Sequence, residues 1–265
     1  MFVFAGSAGF GTPPDENPEY QFSQGLKAFS DGDLAMAKSH YVKAYALEPA
    51  NPNIAYNLGI VFLAQEKVGP SIAMLRRAIY LSPTFGSARK ALDKAFEKTN
   101  TQTAAEALTN FEILRSYLLG RIPSAIFLFI TALLFLFAGW NFIGWLGQRK
   151  RAKIDELDPP MISTTTILLV TALILSTVLS GFKLFDLTRT RAVVINSNVD
   201  LRSGPSSDHP RIAEIFEGFD VIIKREKDGW AQIEHPGGYS GWLQTSQIFN
   251  YSTNDSRFEF VEEKQ

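Results

Sequence analysis

Cysteine is absent from this chain of 265 residues. Its absence excludes disulfide bonds, thiol catalysis and zinc sites with cysteine ligands, and it suits the bacterial envelope because the folded parts need no redox partner. Histidine is scarce, and the 3 residues present are too far apart in sequence to indicate a histidine-rich metal site. The formal net charge is -1, whereas nucleic-acid-binding proteins usually have a strongly basic surface. The composition therefore argues against nucleic-acid binding.

Catalytic motifs are also missing. The sequence contains no recognisable Ser/His/Asp set, Walker loop or dinucleotide-binding glycine loop. Asp31-Gly32-Asp33 has the composition of a metal loop, but it lies between two predicted helices, where Gly32 suits the turn and Asp33 suits the cap of the next helix. We therefore predict that the protein is not an enzyme and holds neither a metal nor a cofactor.

Two long stretches, Ile122–Gln148 and Pro159–Phe182, contain no charged residue. Each exceeds the ~20 apolar residues that cross a hydrocarbon core of ~30 Å. We predict transmembrane helices at 122–146 and 161–183; two buried core helices are the alternative. No ionisable side chain lies within either charge-free stretch, which argues against a pore or carrier.

A basic connection, 147–160, is expected to orient the two spans. It contains four closely spaced cations: Arg149, Lys150, Arg151 and Lys153. The positive-inside rule places this loop in the cytoplasm, so that both large flanking segments lie in the periplasm. Cations also flank the outer ends of the spans, which leaves the opposite orientation open: Arg121, Lys183, Arg189 and Arg191.

The first residues, 1–11, are apolar and include small residues, a composition typical of an export signal, although a basic start is lacking. We expect this segment to be a truncated or weak signal peptide, with cleavage after Ala8. Export of the N-terminal region agrees with the orientation that the basic connection predicts.

Residues 18–51 and 52–85 align as two repeats with a period of about 34 residues. Small, aromatic or leucine, and proline residues recur along this alignment, namely Gly25, Ala37, Tyr41, Ala44 and Pro49, then Gly59, Ser71, Leu75, Ala78 and Pro83. Their spacing resembles the tetratricopeptide repeat, an all-α fold of stacked helix pairs. The resemblance covers 18–99, with two repeats and a partial capping unit, and 104–121 is predicted to form a juxtamembrane helix.

The resemblance implies a peptide-binding groove along the first helix of each repeat. The implied groove residues are Phe22, Leu26, Phe29, Tyr56, Asn57 and Ile60. Phe22 and Leu26 replace the Lys and Asn that grip a terminal carboxylate in one well-known mode, so an apolar or helical partner segment fits better. Alternatively, the same stripe packs against residues 104–119.

Short segments between residues 190 and 250 alternate apolar and polar residues and are bounded by Gly, Pro, Asp and Asn, which predicts an all-β domain. The alternation predicts burial of Val193 and Ile212, among others. Four ordered motifs carry a resemblance to the bacterial SH3-like (SH3b) barrel: VDLRSGPSS (199–207), EGFDVII (217–223), DGWAQI (228–233) and SGWLQTSQI (240–248). The remaining segment, 251–265, is an acidic tail expected to be solvated.

Members of the SH3b family bind cell-wall peptides or protein segments. The resemblance implies a ligand groove with Asp208, Trp230, Tyr239 and Trp242. Alternatively, at least one of the two tryptophans belongs to the core, since aromatic residues dominate small cores. Arg202 is interpreted as a structural anchor.

The order of export segment, helical repeats, two-span hairpin and SH3b domain resembles the BatE family of the Bacteroides aerotolerance (Bat) operon. The resemblance implies an inner-membrane protein whose partners are von Willebrand A-domain Bat membrane proteins and, indirectly, a MoxR-type AAA ATPase. We expect a non-enzymatic scaffold in the lipid bilayer with both soluble domains in the periplasm. A peptidoglycan-binding envelope sensor or anchor is the alternative.

Overall fold

The computed structural model describes residues 17–99, 120–235, 238 and 240–253. They fall into two compact units: one comprises the described residues of 1–109 and 190–265, the other those of 110–189. The first unit is therefore discontinuous in sequence. The export segment 1–11, nearly all of the predicted juxtamembrane helix 104–121 and all but the first residues of the tail 251–265 lie outside the described residues.

Five helices form the N-terminal part of the first unit. They are α1 (Pro18–Ser30), α2 (Leu34–Leu47), α3 (Pro52–Ala64), α4 (Val68–Leu81) and α5 (Gly86–Glu97). The helix starts recur regularly, since α3 begins as far after α1 as α4 begins after α2 and α5 after α3. Asn17 and Asn51 start α1 and α3 in the same way, since each caps the helix with its side chain and is followed by proline.

Glycines allow the two helices of each pair to pack closely. A Cβ on Gly25 would lie 2.6 Å from the ring of Tyr41, and a Cβ on Gly59 would lie 2.9 Å from Leu75. Ser71 also belongs to the second contact, because its hydroxyl donates a 2.8 Å hydrogen bond to the carbonyl of Gly59. The small residues that define the sequence period therefore lie where paired helices touch.

The turn between α1 and α2 has the predicted capping role. Gly32 has a φ of +83°, which glycine adopts without strain. Asp33 accepts a 2.8 Å hydrogen bond from the backbone N–H of Met36 at the start of α2. The capping interpretation of Asp31-Gly32-Asp33 is confirmed, and Glu66 occupies the equivalent left-handed position between α3 and α4 with a φ of +61°.

The second unit contains two helices long and apolar enough to cross a membrane, α6 (Ser124–Ile154) and α7 (Thr164–Leu187). A cluster of hydroxyls joins them. The Thr131 hydroxyl lies 2.7 Å from that of Ser176 and 2.9 Å from that of Ser180. Interhelical hydrogen bonds of this kind support helix packing in lipid.

Both helices begin slightly later than the predicted spans, at Ser124 and Thr164, and extend beyond them at their C-terminal ends. The predicted loop 147–160 needs correction, because its four cations lie on the last turns of α6: Arg149, Lys150, Arg151 and Lys153. Strong helix formers continue the helix there without a break. It ends where Glu156 adopts a φ of +53° and the N–H of Leu157 donates to the carbonyl of Ala152. Helix α7 likewise ends at Leu187 rather than at residue 183.

Seven antiparallel strands complete the first unit. They are β1 (Thr190–Val194), β2 (Asn198–Arg202), β3 (Arg211–Phe216), β4 (Asp220–Lys227), β5 (Trp230–Glu234), β6 (Ser240–Gln244) and β7 (Ile248–Asn250). Their order in the sheet is β3-β2-β6-β5-β4-β1-β7. The short strand β7 is an addition to the sequence prediction.

The two faces of β1 belong to different hydrophobic clusters. Ala192 and Val194 pack inside the sheet domain, whereas Val193 packs with the helices. Ile212 corrects the predicted burial pattern, since its side chain is 52% exposed on the edge strand β3. Strand β1 is thus covered on both sides by apolar groups.

Candidate functional site

The outer surface of the sheet carries both tryptophans that the sequence singled out. Ala231 and Ile233 face the core, so the alternating residues Trp230 and Gln232 face outward. In the neighbouring strand, Trp242 is paired with Gln232. The strands therefore bring the two tryptophans to one side of the sheet.

A polar and aromatic row crosses this side of the sheet. Arg225 pairs with Gln232, Gln232 with Trp242, and Trp242 with Arg202. The Arg225 guanidinium carbon lies 6.0 Å from the centre of the Trp242 ring, and its Nε donates a 2.6 Å hydrogen bond to Gln232. Trp242 is only 9% exposed, and Trp230 is half-buried. The row offers stacking surfaces and hydrogen-bonding groups, the chemistry of peptide recognition.

Arg202 fixes the loop that borders this row. Its guanidinium donates hydrogen bonds to the carbonyls of Ser207 at 2.6 Å and His209 at 2.9 Å. Gly204 permits the fold of the loop, because a Cβ there would lie 2.4 Å from the His209 ring. The interpretation of Arg202 as a structural anchor is confirmed. Asp208 is exposed at the loop tip, with Ser206 as its hydrogen-bond partner.

The implied SH3b groove residues thus have different environments. Asp208 is exposed, Trp230 half-buried and Trp242 almost fully covered, while Tyr239 lies outside the described residues. Trp242 is one of the buried apolar residues, which agrees with the alternative that one tryptophan is part of the core, although it lies outside the cluster inside the sheet. Trp230 is therefore the most available aromatic surface of this set.

The implied helical groove divides into exposed and packed residues. Leu26 and Phe29 on α1 are 44% and 37% exposed. Phe22, Tyr56 and Ile60 are half-buried against the helical core.

Aromatic neighbours account for part of this packing. The Phe22 ring lies 5.7 Å from that of Tyr41, and the Tyr56 ring lies 5.1 Å from that of Phe85. Asn57 bonds within its own helix, donating a 2.8 Å hydrogen bond to the Asn53 carbonyl. The exposed apolar surface of the groove is therefore concentrated on α1.

Sequence reasoning missed a junction between α4 and the sheet. Asp220 on β4 lies 3.1 Å from Arg76 of α4 and accepts a 2.8 Å hydrogen bond from the Tyr251 hydroxyl. Arg77 is fully buried and donates 3.0 Å and 2.9 Å hydrogen bonds to the carbonyls of Tyr251 and Pro49. Charged and hydrogen-bonded groups thus fix α4 to the sheet.

Two glycines, one from each side, bring the backbones together at this junction. A Cβ on Gly69 would lie 2.2 Å from the carbonyl oxygen of Ile195, and a Cβ on Gly218 would lie 2.7 Å from Ile72. Glu217, in the turn between β3 and β4, caps α4 by accepting a 3.0 Å hydrogen bond from the N–H of Gly69. We refer to these contacts between α4 and the β1, β4 and β7 side of the sheet as the junction.

Two sequence signals could have revealed the junction. Val193, Val194 and Ile195 form a continuous apolar run, which is typical of a strand buried on both faces. Helix α4 also has Ile72 at the repeat position where α2 has Lys38. An apolar residue in place of a cation indicates a covered helix face.

Within residues 17–99, 120–235, 238 and 240–253, no group of three or more His, Asp or Glu side chains could hold a metal ion. Burial raises the pKa of the Tyr41 hydroxyl to about 12, which removes this group further from proton transfer at neutral pH.

Comparison with protein families identifies part of the chain. Residues 196–249 match the family model described as bacterial SH3 domain. The match includes both tryptophans of the sheet surface, whereas β1, the strand covered by the helices, precedes it. No curated protein matches the sequence.

Proposed function

We propose that this protein is a non-enzymatic membrane scaffold that binds protein partners through its helical region and its SH3 domain. One observation carries the proposal: the SH3 domain is fixed to α4 by the junction, and the membrane-length hairpin is inserted in sequence between them. Bacterial SH3 domains commonly bind proteins or peptidoglycan. The unit therefore combines two binding modules.

The junction supports a defined membrane topology. Two regions that touch must lie on the same side of a membrane, so the connection between α6 and α7 lies on the other side. The cations from Arg149 to Lys153 favour a cytoplasmic location for that connection under the positive-inside rule. We accordingly assign both soluble regions to the periplasm and the hairpin to the bacterial inner membrane.

Tetratricopeptide identity of the helices is part of the proposal. It is supported by the regular recurrence of helix starts and by the equivalent contacts of Gly25 with Tyr41 and of Gly59 with Leu75. In this interpretation, Leu26 and Phe29 present the apolar surface that a helical partner segment would cover.

The cellular setting follows from the resemblance to the BatE family. The partners would be von Willebrand A-domain Bat membrane proteins, with a MoxR-type AAA ATPase reached indirectly, and the process would be aerotolerance or oxidative-stress survival. The order of the modules supports this assignment, because helices, hairpin and SH3 domain occur here in the same order.

The absence of cysteine makes the topology directly testable. Single cysteines would be introduced as K43C on α2, K227C on β4 and L157C in the connection, all at exposed positions. In intact spheroplasts, a membrane-impermeant maleimide should label the first two sites, whereas L157C should require permeabilisation. Different labelling of K43C and K227C would contradict the topology.

Partner binding is tested by co-purification of the full chain in mild detergent. Von Willebrand A-domain membrane proteins should be recovered, and Trp230→Ala or Leu26→Ala should reduce recovery about tenfold if these side chains are central contacts. Phe216→Ala is the matched control, since Phe216 is exposed on the distant edge strand β3. Equal recovery with all variants would remove both surfaces from the proposal.

Peptidoglycan binding is the second candidate function, favoured by the bacterial SH3 match. The row of Trp230, Gln232 and Arg225 could stack on and hydrogen-bond to a wall peptide. Detergent-solubilised full chain would be incubated with purified sacculi. Retention that Trp230→Ala abolishes supports wall binding, whereas no retention together with partner recovery supports the scaffold alone.

A further inference from the structure

We propose that the last turns of α6 form a binding site for the phosphate groups of anionic phospholipids. All four cations of this segment are exposed and lie within five consecutive residues: Arg149, Lys150, Arg151 and Lys153. Among the described residues, none of them forms an ion pair, although Asp155, Glu156 and Asp158 follow directly. The segment therefore retains its positive charge, and we call it the basic collar.

The basic collar lies where the apolar part of α6 ends. Trp145 lies at this point and has one apolar and one polar contact. Its ring stacks on Phe142 at 5.8 Å, and its indole N–H donates a 3.1 Å hydrogen bond to the Pro160 carbonyl. Tryptophan with one apolar and one polar side is typical of the membrane–water interface. The collar begins one helical turn beyond Trp145, about 6 Å along the axis. With Trp145 at the membrane–water interface, the collar would lie at the level of the headgroup phosphates.

Contacts within α6 hold one cation at this depth. The Arg149 guanidinium carbon lies 5.3 Å from the centre of the Trp145 ring. Lys153 follows one turn later on the same side of the helix. A cation fixed on an interfacial tryptophan keeps its donors directed to the headgroup layer, and guanidinium groups bind phosphate oxygens through paired hydrogen bonds.

The local charge favours anionic over zwitterionic lipids. Clusters of Lys and Arg directly beside a membrane span attract anionic headgroups, and the attraction declines within a Debye length of about 10 Å at 0.1 M salt. The same four cations could instead act only as a topology signal. In that role they are needed during membrane insertion and bind no lipid in the purified protein. Retention of anionic lipid by the purified protein therefore separates binding from topology.

The test uses the full chain in mixed micelles of phosphatidylcholine with a minor fraction of phosphatidylglycerol. After purification, bound lipid is extracted and the ratio of the two lipids is compared with that of the micelles. Micelles expose both ends of the hairpin, so an inverted orientation does not affect the result. We expect phosphatidylglycerol to be enriched, and glutamine at positions 149, 150, 151 and 153 together to reduce the enrichment at least about tenfold.

Two control variants isolate the site from net charge. Glutamine at four exposed lysines of the helical region changes the net charge equally and should leave the enrichment intact: Lys27, Lys43, Lys90 and Lys94. A second variant exchanges Arg for Lys and Lys for Arg throughout the collar, and it should retain most of the phosphatidylglycerol enrichment. An equal loss in the lysine control would overturn the proposal.

Further arms separate the possible outcomes. Inorganic phosphate at the concentration of the lipid headgroups should not displace phosphatidylglycerol; displacement would assign the site to free phosphate instead. The proposal rests on membrane insertion of the hairpin, which resistance to alkaline carbonate extraction tests separately. An inserted protein without lipid preference overturns the lipid site alone, whereas an extractable protein overturns the membrane assignment as well.

Discussion

Helices α2 and α4 have the same length and occupy equivalent places in successive helix pairs, but they face different surroundings. Lys43 on α2 is exposed, whereas its counterpart Arg77 on α4 is fully buried beneath the sheet. Ala35 of α2 is exposed, and its counterpart Gly69 meets the backbone of Ile195. One helical framework thus serves a solvated face in the first pair and a domain junction in the second.

The helix caps differ in the same way. Asp33 caps α2 from the preceding turn, whereas Lys67 at the equivalent position provides no side-chain cap. Pro70 replaces a donor in the first turn of α4, and Glu217 in the turn between β3 and β4 accepts from the free N–H of Gly69. Helix α4 therefore receives its N-terminal cap from a distant part of the chain, whereas α2 is capped by the residue directly before it.

Among substitutions at equivalent positions of α2 and α4, Arg77→Ala should cause the largest loss of stability. The change removes hydrogen bonds to two carbonyls and leaves a cavity, so we expect the free energy of unfolding of the first unit to fall by about 3–5 kcal/mol. Lys43→Ala, the matched control, should stay within about 0.5 kcal/mol. Urea unfolding of the detergent-solubilised chain measures both, and similar effects would mean that the junction contributes little.

Gly69→Ala should produce the next largest effect. The new Cβ would meet a backbone carbonyl at 2.2 Å, and overpacking of this kind costs about 1–3 kcal/mol. Gly86→Ala on α5 is the control, because a Cβ there has open space. Hydrogen exchange should increase in α4 and β1 only for the first variant; unchanged protection would indicate that the junction can shift without loss.

Glu217→Ala should destabilise α4 by about 1 kcal/mol, the usual cost of a lost cap. Lys67→Asp in the same variant should recover part of this, because a local carboxylate could then accept from the N–H of Gly69. Glu226→Ala, at an exposed position of β4, is the control. Thermal unfolding followed by circular dichroism measures the series, and failure of the rescue would contradict the capping role.

The smallest effect at neutral pH concerns Tyr41, whose counterpart in the second pair is Leu75. Its hydroxyl is buried without a hydrogen-bond partner among the described residues, so Tyr41→Phe should change stability by less than about 1 kcal/mol at pH 7. Burial raises the pKa of Tyr41 to about 12. The unfolded chain ionises near pH 10, so wild-type stability should decline from pH 10 to 12, and the variant should decline less.

Local patterns in the sequence predicted most elements of the fold. The recurring small residues of the helical repeats, the charge-free runs and the turn residues between strands can each be recognised without knowing which distant segments meet. The end of α6 and the strand β7 were harder to predict from the sequence. Arg149 to Lys153 suit both a helix and a loop, and Ile248–Asn250 is only three residues long.

The junction was the least predictable part of the candidate surfaces. Arg76 and Arg77 look like solvated cations in sequence, and only the fold brings Asp220 and Tyr251 to them from distant positions. Trp230 and Trp242 were found from motif order, but the coverage of Trp242 by Arg225 depends on strand register. Long-range pairing thus decides which predicted surface residues remain accessible.

The discontinuity of the first unit imposes an order on biosynthesis. Helix α4 is translated about 170 residues before Tyr251, and at about 5–20 residues per second this interval lasts roughly 10–35 s. During this interval, Ile72 and Arg77 lack the strands that will cover them, while the two membrane-length helices are synthesised. The first unit is thus completed only after α6 and α7 have been made. In the topology proposed above, a nascent chain stalled at membrane insertion would leave α4 exposed to chaperones and proteases.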